Sequence, residues 1–422
     1  MDTRYLIFVI LLTAIFLNQC DKEPEPKLMF LDDYFIKSLI RSGIDKNNDK
    51  IISTEEAESV TYLNISGDSI SDLTGIELFT NLESLDCSYN LLTKLDVSNN
   101  KVLENLDCGS NLLTSIDLSN NPQLKHFNCQ SNKFSSLDIS NNTSLQTLDC
   151  EGNRLTILNI SINNIIEEII CNENGLKTLD VSNCPNLRKL ESSGNPLSAI
   201  DVSKNTSLIY LNCDGADFNN LNVTNNVSLE YLNCNNNHNL TSLDVSKNLA
   251  LEALWCCSND LTSLDITKNI YLKELYCGGD KLTSLNVSNN TALTYLYCVQ
   301  NNLTILNVSV NTELEDLHCE YNPLGILDIS KNIKLKSLSC SKNELNNLDV
   351  SKNIDLKQLV CSSNPMSSLD ISSNNKLELL WIESMPNLSK VCVWIMPFPP
   401  PDFQLRSTYS PNVYFTTDCT GK

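Results

Sequence analysis

Asp45, Asn47, Asp49, Ile51, Ser53 and Glu56 stand at positions 1, 3, 5, 7, 9 and 12 of the stretch DKNNDKIISTEE. Oxygen donors at alternate positions, closed by a carboxylate able to bind through both oxygens, suit a hard divalent cation. The set predicts Ca2+ in a structural role. Ile51 would contribute only its carbonyl. Lys50 occupies position 6, where such a loop wants glycine. A positive φ there costs a non-glycine residue about 1 kcal/mol, and the ammonium would lie near the ion. The bland alternative is a connecting loop that holds nothing. Catalytic chemistry has little to work with. The three histidines, His126, His238 and His318, fall in separate parts of the chain, none beside an obvious nucleophile, and no Walker loop, HExxH or GxSxG occurs. No enzyme is expected.

The other chemistry-bearing residue is cysteine, and its spacing speaks of architecture. Cys87, Cys108, Cys129, Cys150 and Cys171 lie 21 residues apart, and Ser192 stands in once before Cys213 and Cys234. After one inserted residue near His238 the series runs through Cys256, Cys277, Cys298, Cys319, Cys340 and Cys361, and Ile382 closes it. An earlier turn without cysteine reads Leu63-x-Ile65-x-x-Asp68-x-Ile70. Each turn fits L-x-x-L-x-C-x-x-N-x-L and then T-x-L-D-V-S-x-N. The first half is a leucine-rich repeat with Cys at its third apolar position. Leu85 and Cys87 are two apart, so they point to one side of a short strand. One turn alone cannot bury that side, but stacked turns can. The expected fold is an α/β solenoid: a leucine-rich-repeat horseshoe of about 16 rungs, with a parallel sheet on the concave face and few helices outside the N-terminal cap.

Thirteen cysteines thus occupy inward positions, where Cys behaves as a small hydrophobe. In-register side chains keep the strand spacing of about 4.8 Å, wider than the Cβ separation of about 3.8 Å that a disulfide wants. The ladder is therefore expected to be reduced, even though export favours disulfides. Three residues after each Cys stands Asn in most rungs, from Asn90 and Asn111 through Asn364, with Ala216 and Asp280 as breaks. Such an amide can satisfy backbone groups freed where a strand ends. In the second half of each rung, Asp or Asn is followed two residues later by Ser or Thr and two later still by Asn, with Cys184 in its place once, and this is read as turn chemistry.

Strand alternation sends the residues flanking each inward Leu to the open face. Early rungs place Asp86, Asp107, Asp149, Glu151, Glu168 and Glu191 there, an acidic, solvated surface. Middle rungs place Tyr210, Tyr231, Trp255, Tyr276, Tyr295, Tyr297 and His318 there, and neighbouring rungs should align them into one exposed stripe. Tyr and Trp are common binding anchors, and an exposed aromatic patch marks an interaction site. The competing reading is ring stacking that only stabilises the sheet. A protein or a glycan could be the ligand. Cys257 faces outward beside the stripe, a candidate reactive thiol.

The ends need caps. Residues 28–59 are expected to form a helical N-terminal cap, with Leu31, Phe35 and Leu39 at helical spacing, followed by the EF-hand-like loop. The solenoid is assigned to residues 60–393 and a C-terminal cap to 394–422, where Val413-Tyr414-Phe415 reads as a capping strand. Cys392 and Cys419 fall outside the ladder. A disulfide between them would be worth roughly 3 kcal/mol on the chain-entropy model. A net charge of −21 excludes a nucleic-acid backbone as partner. At the start, Arg4 precedes an apolar run from Tyr5 to Leu17, long enough for a signal peptide but short for a membrane span. Residues 1–19 are read as that signal and 20–27 as an acidic tether, with Cys20 as the lipidation site. Leu17 fits a lipobox, while Asn18 and Gln19 stand where small residues are usual.

With the 21-residue period, the ladder Cys and the Asn series together, the repeat resembles that of bacterial internalins, above all the cysteine-ladder type. The N-terminus resembles that of Bacteroidetes surface lipoproteins. The resemblance implies a curved, non-enzymatic recognition surface on an exported monomer, lipid-anchored in the outer membrane and facing outward. Two departures bear on it. No immunoglobulin-like domain follows the repeats, and a lipid replaces the cell-wall sorting signal. The expected function is adhesion or capture of a protein or glycan ligand. The alternative is an envelope-organising lipoprotein that binds another bacterial component.

Overall fold

The computed structural model describes residues 30–419. The signal, the tether and Cys20 lie outside the described residues. Seventeen strands of three residues each pair in parallel into one sheet, the predicted solenoid. Leu85 lies opposite Leu106, and Leu106 opposite Phe127. One period therefore advances the chain by one strand without shifting register. The central residue of each of these strands up to Leu379–Trp381 is buried, and most flanking residues are half-buried or exposed. The residue inserted near His238 is absorbed in the loop. Tyr231 pairs with Ala253, 22 residues on, and the sheet continues.

The ladder cysteine sits just past each strand. Its backbone N–H donates to the next rung, as from Cys87 to the Asp107 carbonyl at 2.8 Å and from Cys108 to that of Asn128 at 2.9 Å. All thirteen ladder cysteines are fully buried, and none is joined to another. Burial pushes their thiols up, as to about 12 for Cys361, so they stay protonated. Several donate weakly to a carbonyl of the next rung, for example Cys87 Sγ to Asp107 O at 3.3 Å.

Asparagine forms two spines. In the first, Asn111 Nδ2 donates to the carbonyls of Cys87 and Cys108, and its Oδ1 accepts the Leu92 N–H at 3.0 Å. Asn237, three residues after Cys234, belongs to this spine; its Oδ1 accepts the Phe218 N–H at 3.1 Å. The second spine, which the sequence reading took for turn residues, is fully buried. Asn121 Nδ2 donates to the carbonyls of Val97 and Asn100. Cys184 stands in it once, also buried. The turn chemistry belongs to the preceding pair, as where Asp117 Oδ1 accepts the Ser119 N–H at 2.9 Å.

At the N-terminus a helix spans Asp33–Arg41. Asp32 caps it through Oδ1, which accepts the Tyr34 N–H at 2.8 Å. Its Oδ2 accepts from the Ser71 N–H at 2.8 Å and the Ser71 hydroxyl at 2.7 Å. One carboxylate therefore starts the helix and pins it to the first rung. Phe35 and Leu39 pack into the core, whereas Leu31 is exposed because the helix begins after it, at the Asp32 cap. At the other end the main sheet runs one strand beyond residue 393, through Gln404–Arg406, which pairs with Leu379–Trp381. Lys390–Cys392 joins a second, three-stranded sheet between Ser368–Asp370 and Tyr414–Thr416.

Candidate ligand-binding surface

Parallel, in-register strands convert spacing along the chain into neighbours on the concave face. All seven aromatic residues expected there form one connected row. Tyr210 stacks on Tyr231 with ring centroids 4.2 Å apart, and Tyr231 meets the edge of Trp255 at 5.4 Å. Trp255 touches Tyr276 at 4.9 Å, and Tyr276 stacks on Tyr295 at 4.6 Å and Tyr297 at 5.9 Å. His318 closes the row against Tyr295 at 5.6 Å and Tyr297 at 5.9 Å. The rings are half-buried rather than exposed, since each covers part of the next. Trp255 Nε1 is buried without a hydrogen-bond partner.

Beside the row lies an open trough of about 340 Å³, lined in part by Asp86, Asp107, His126, Thr147, Asp149 and Glu168. The acids there are less solvated than their composition suggests. Burial pushes Asp149 up to about 6, and the carboxylates of Glu151, Asp107 and Glu191 add to this. Burial also raises Asp107. Lys189 separates trough from stripe: its Nζ lies 2.8 Å from Glu168 Oε1, 2.9 Å from Glu191 Oε1 and 5.7 Å from the centre of the Tyr210 ring. His126 Nδ1 lies 2.9 Å from the Thr147 hydroxyl, a cross-strand pair the sequence reading did not foresee. His126 is exposed, as befits a surface hydrogen bond.

Cys257 is half-buried. Its Sγ accepts the Gly278 N–H at 3.2 Å, and burial pushes its thiol up to about 11, far from the lowered values of reactive cysteines. Cys392 and Cys419, the pair expected to form a disulfide, lie close together with both thiols free. With Asp370 they form, among the described residues, the one set of three acidic, thiol or imidazole groups whose ligand atoms all lie within 4.8 Å of one another.

In the N-terminal loop, Asp45 and Glu56 are buried, Asn47 and Asp49 are exposed, and Ile51 faces solvent. The Ser53 hydroxyl caps the helix Thr54–Glu58, accepting the Glu56 N–H at 3.2 Å and donating to Glu56 Oε2 at 2.9 Å.

A Leu and Cys lining, an asparagine spine and a one-sided parallel sheet define a leucine-rich-repeat solenoid of the cysteine-ladder type. The chain belongs to the internalin family. It is 34% identical to the functional domain of InlJ from Listeria monocytogenes, which includes a cysteine ladder, with a TM-score of 0.78 over 84% of this chain and 81% of that one. Curated internalin J from the same species matches at 39% identity over 71 residues, a stretch spanning 17% of this chain and 8% of that protein's length. A Leptospira interrogans leucine-rich-repeat protein, 24% identical with a TM-score of 0.72 over 79% of this chain and 92% of its own, shares the fold. So does the plant peptide hormone receptor RGFR1 in complex with RGF2, 19% identical with a TM-score of 0.64 over 76% of this chain and 60% of its own. No family model matches the chain. Among the described residues no helix is long and apolar enough to cross a membrane.

Proposed function

We propose that the concave face captures a protein ligand, with the row from Tyr210 to His318 as its anchor and the chain serving as an adhesin or capture protein. The carrying observation is the continuity of seven rings on adjacent strands, on the face where strand alternation puts side chains that the core does not need. The way the rings are used favours protein over glycan. A sugar packs against a free aromatic face, but here most faces lie against a neighbouring ring. What remains are ring edges, which suit the apolar side chains of a protein. RGFR1, a likeness of fold alone, is a peptide hormone receptor seen with RGF2. The acidic trough next to the stripe favours a ligand with a basic stretch. Display at the cell surface through a lipid on Cys20 is part of the same reading, supported by the apolar run from Tyr5 to Leu17 before that cysteine.

The test is to present the purified chain, and a variant carrying Tyr231→Ala, Tyr276→Ala and Tyr297→Ala, to protein and glycan arrays. The proposal expects wild-type binding to proteins that the variant loses, with the variant's circular dichroism unchanged. Glycan-only binding, or protein binding that survives the triple change, overturns it. Cells expressing the variant should lose attachment while their envelope stays intact; an altered envelope with normal attachment points to the organising role instead.

A further inference from the structure

We propose that the Asp45–Glu56 loop binds Ca2+ and that the ion fastens the cap helix Asp33–Arg41 to the short helix Thr54–Glu58 that follows it. The spacing of oxygen donors alone would not carry this; the backbone and one stranded atom do. Lys50, at position 6, takes φ +67°, the left-handed conformation that a calcium loop of this length needs there. Its N–H donates to Asp45 Oδ2 at 3.0 Å, turning the Asp45 carboxylate into the loop. The Asp49 N–H reaches Asn47 Oδ1 at 2.8 Å, and the Ile51 N–H reaches Asp49 Oδ1 at 2.8 Å. The Glu56 carboxylate folds back across the loop and accepts the Lys46 N–H at 2.7 Å.

Asp45 is 6% exposed, and its Oδ1 is buried with no hydrogen-bond donor. Inside a protein such an oxygen is costly unless a cation or a donor meets it. No lysine supplies one: Lys46 Nζ is spent on the Ser59 hydroxyl at 2.9 Å. The carboxylates of Asp45, Asp49 and Glu56 are not gathered within 4.8 Å of one another. Binding therefore draws exposed Asp49 inward onto the buried pair. The donor set is Asp45, Asn47, Asp49 and Glu56 with the Ile51 carbonyl. Mixed carboxylate, amide and carbonyl oxygens in a loop free to adjust suit Ca2+ better than Mg2+, which demands a tight octahedron.

The experiment titrates CaCl2 calorimetrically into the whole chain after EGTA treatment, and follows thermal unfolding in parallel. One site is expected, with Kd of about 10⁻⁴ to 10⁻³ M, the range of extracellular calcium modules, and a transition temperature that rises with Ca2+. Asp45→Asn keeps an acceptor for the Lys50 N–H yet should abolish both effects. Lys50→Gly removes a positive charge beside the ion and should tighten binding about five-fold. MgCl2 should give no saturable heat at the same concentrations. Glu56→Gln is the less clean variant, because Glu56 also caps a helix. No heat and no thermal shift in the wild type at about 10 mM Ca2+ overturns the proposal, as does an unchanged affinity in Asp45→Asn.

Discussion

Tyr210 and Tyr231 stack with ring planes 3° from parallel, although 21 residues of chain separate them. Their strands are neighbours in register, so a repeat period has become a ring contact. Such pairs contribute about 0.5–1.5 kcal/mol beyond burial. A double-mutant cycle of Tyr210→Ala and Tyr231→Ala in urea should return a coupling energy in that range. A coupling near zero would mean that the rings adopt this arrangement only weakly in solution, leaving their faces free for a ligand.

Asp280 occupies an asparagine position of the first spine. Its Oδ1 still accepts the Leu261 N–H at 3.1 Å, but Oδ2 is buried without a partner where an amide would donate. Burial pushes the carboxyl up to about 7. The folded state therefore holds a proton that the unfolded chain, near 3.8, has released. The associated stability is fully present below about pH 4 and is lost as pH rises through 7. Asp280→Asn restores the donor without a charge. It should stabilise the chain by about 2–4 kcal/mol at pH 8 and by under ~1 kcal/mol at pH 4, read from urea midpoints at the two pH values. An equal gain at both would place the effect outside ionisation.

The spine itself can be tested at a rung with its full set. Asn301 Nδ2 donates to the carbonyls of Cys277 at 2.8 Å and Cys298 at 3.2 Å, and its Oδ1 accepts the Leu282 N–H at 3.0 Å. Asn301→Ala strands three buried backbone groups. It should cost about 3–5 kcal/mol, whereas Asn302→Ala, next door and exposed, should change stability by less than ~0.5 kcal/mol. Equal effects would reduce the spine to a packing feature.

Most of this was legible because the period is strict. Once 21 residues equal one strand, Cys87 must lie beside Cys108 and Trp255 beside Tyr276. What escaped depends on facts the period does not carry. Asn100 and its equivalents look like turn residues because they follow Asp and Ser, and only the stack shows that they are buried. The strand Gln404–Arg406 has no Leu-x-x-Leu-x-Cys pattern, yet it pairs with Leu379–Trp381. That the rings stack on one another is a matter of side-chain torsions, which no spacing specifies.

The last prediction concerns Cys392 and Cys419, which lie apart from the ladder with their sulfur atoms within 4.8 Å of each other. Burial, and then the neighbouring thiol, pushes Cys392 up to about 11. Two thiols this close are the pair an oxidising compartment would join; Cys419 is only partly buried, whereas the ladder thiols are sealed. Protein recovered from its native compartment, denatured without reductant and titrated with a thiol reagent should show fifteen of its seventeen described cysteines reactive. The remaining two should appear as one linked peptide in mass spectrometry. Closing that loop ties the strand Lys390–Cys392 to the chain end beyond Tyr414–Thr416, so Cys419→Ser should lower stability by about 3 kcal/mol on the loop-entropy model. Reductant should do the same to the wild type and nothing further to the variant. Four or fewer reactive thiols would mean that the ladder itself is oxidised, and all seventeen reactive would mean that this pair stays open.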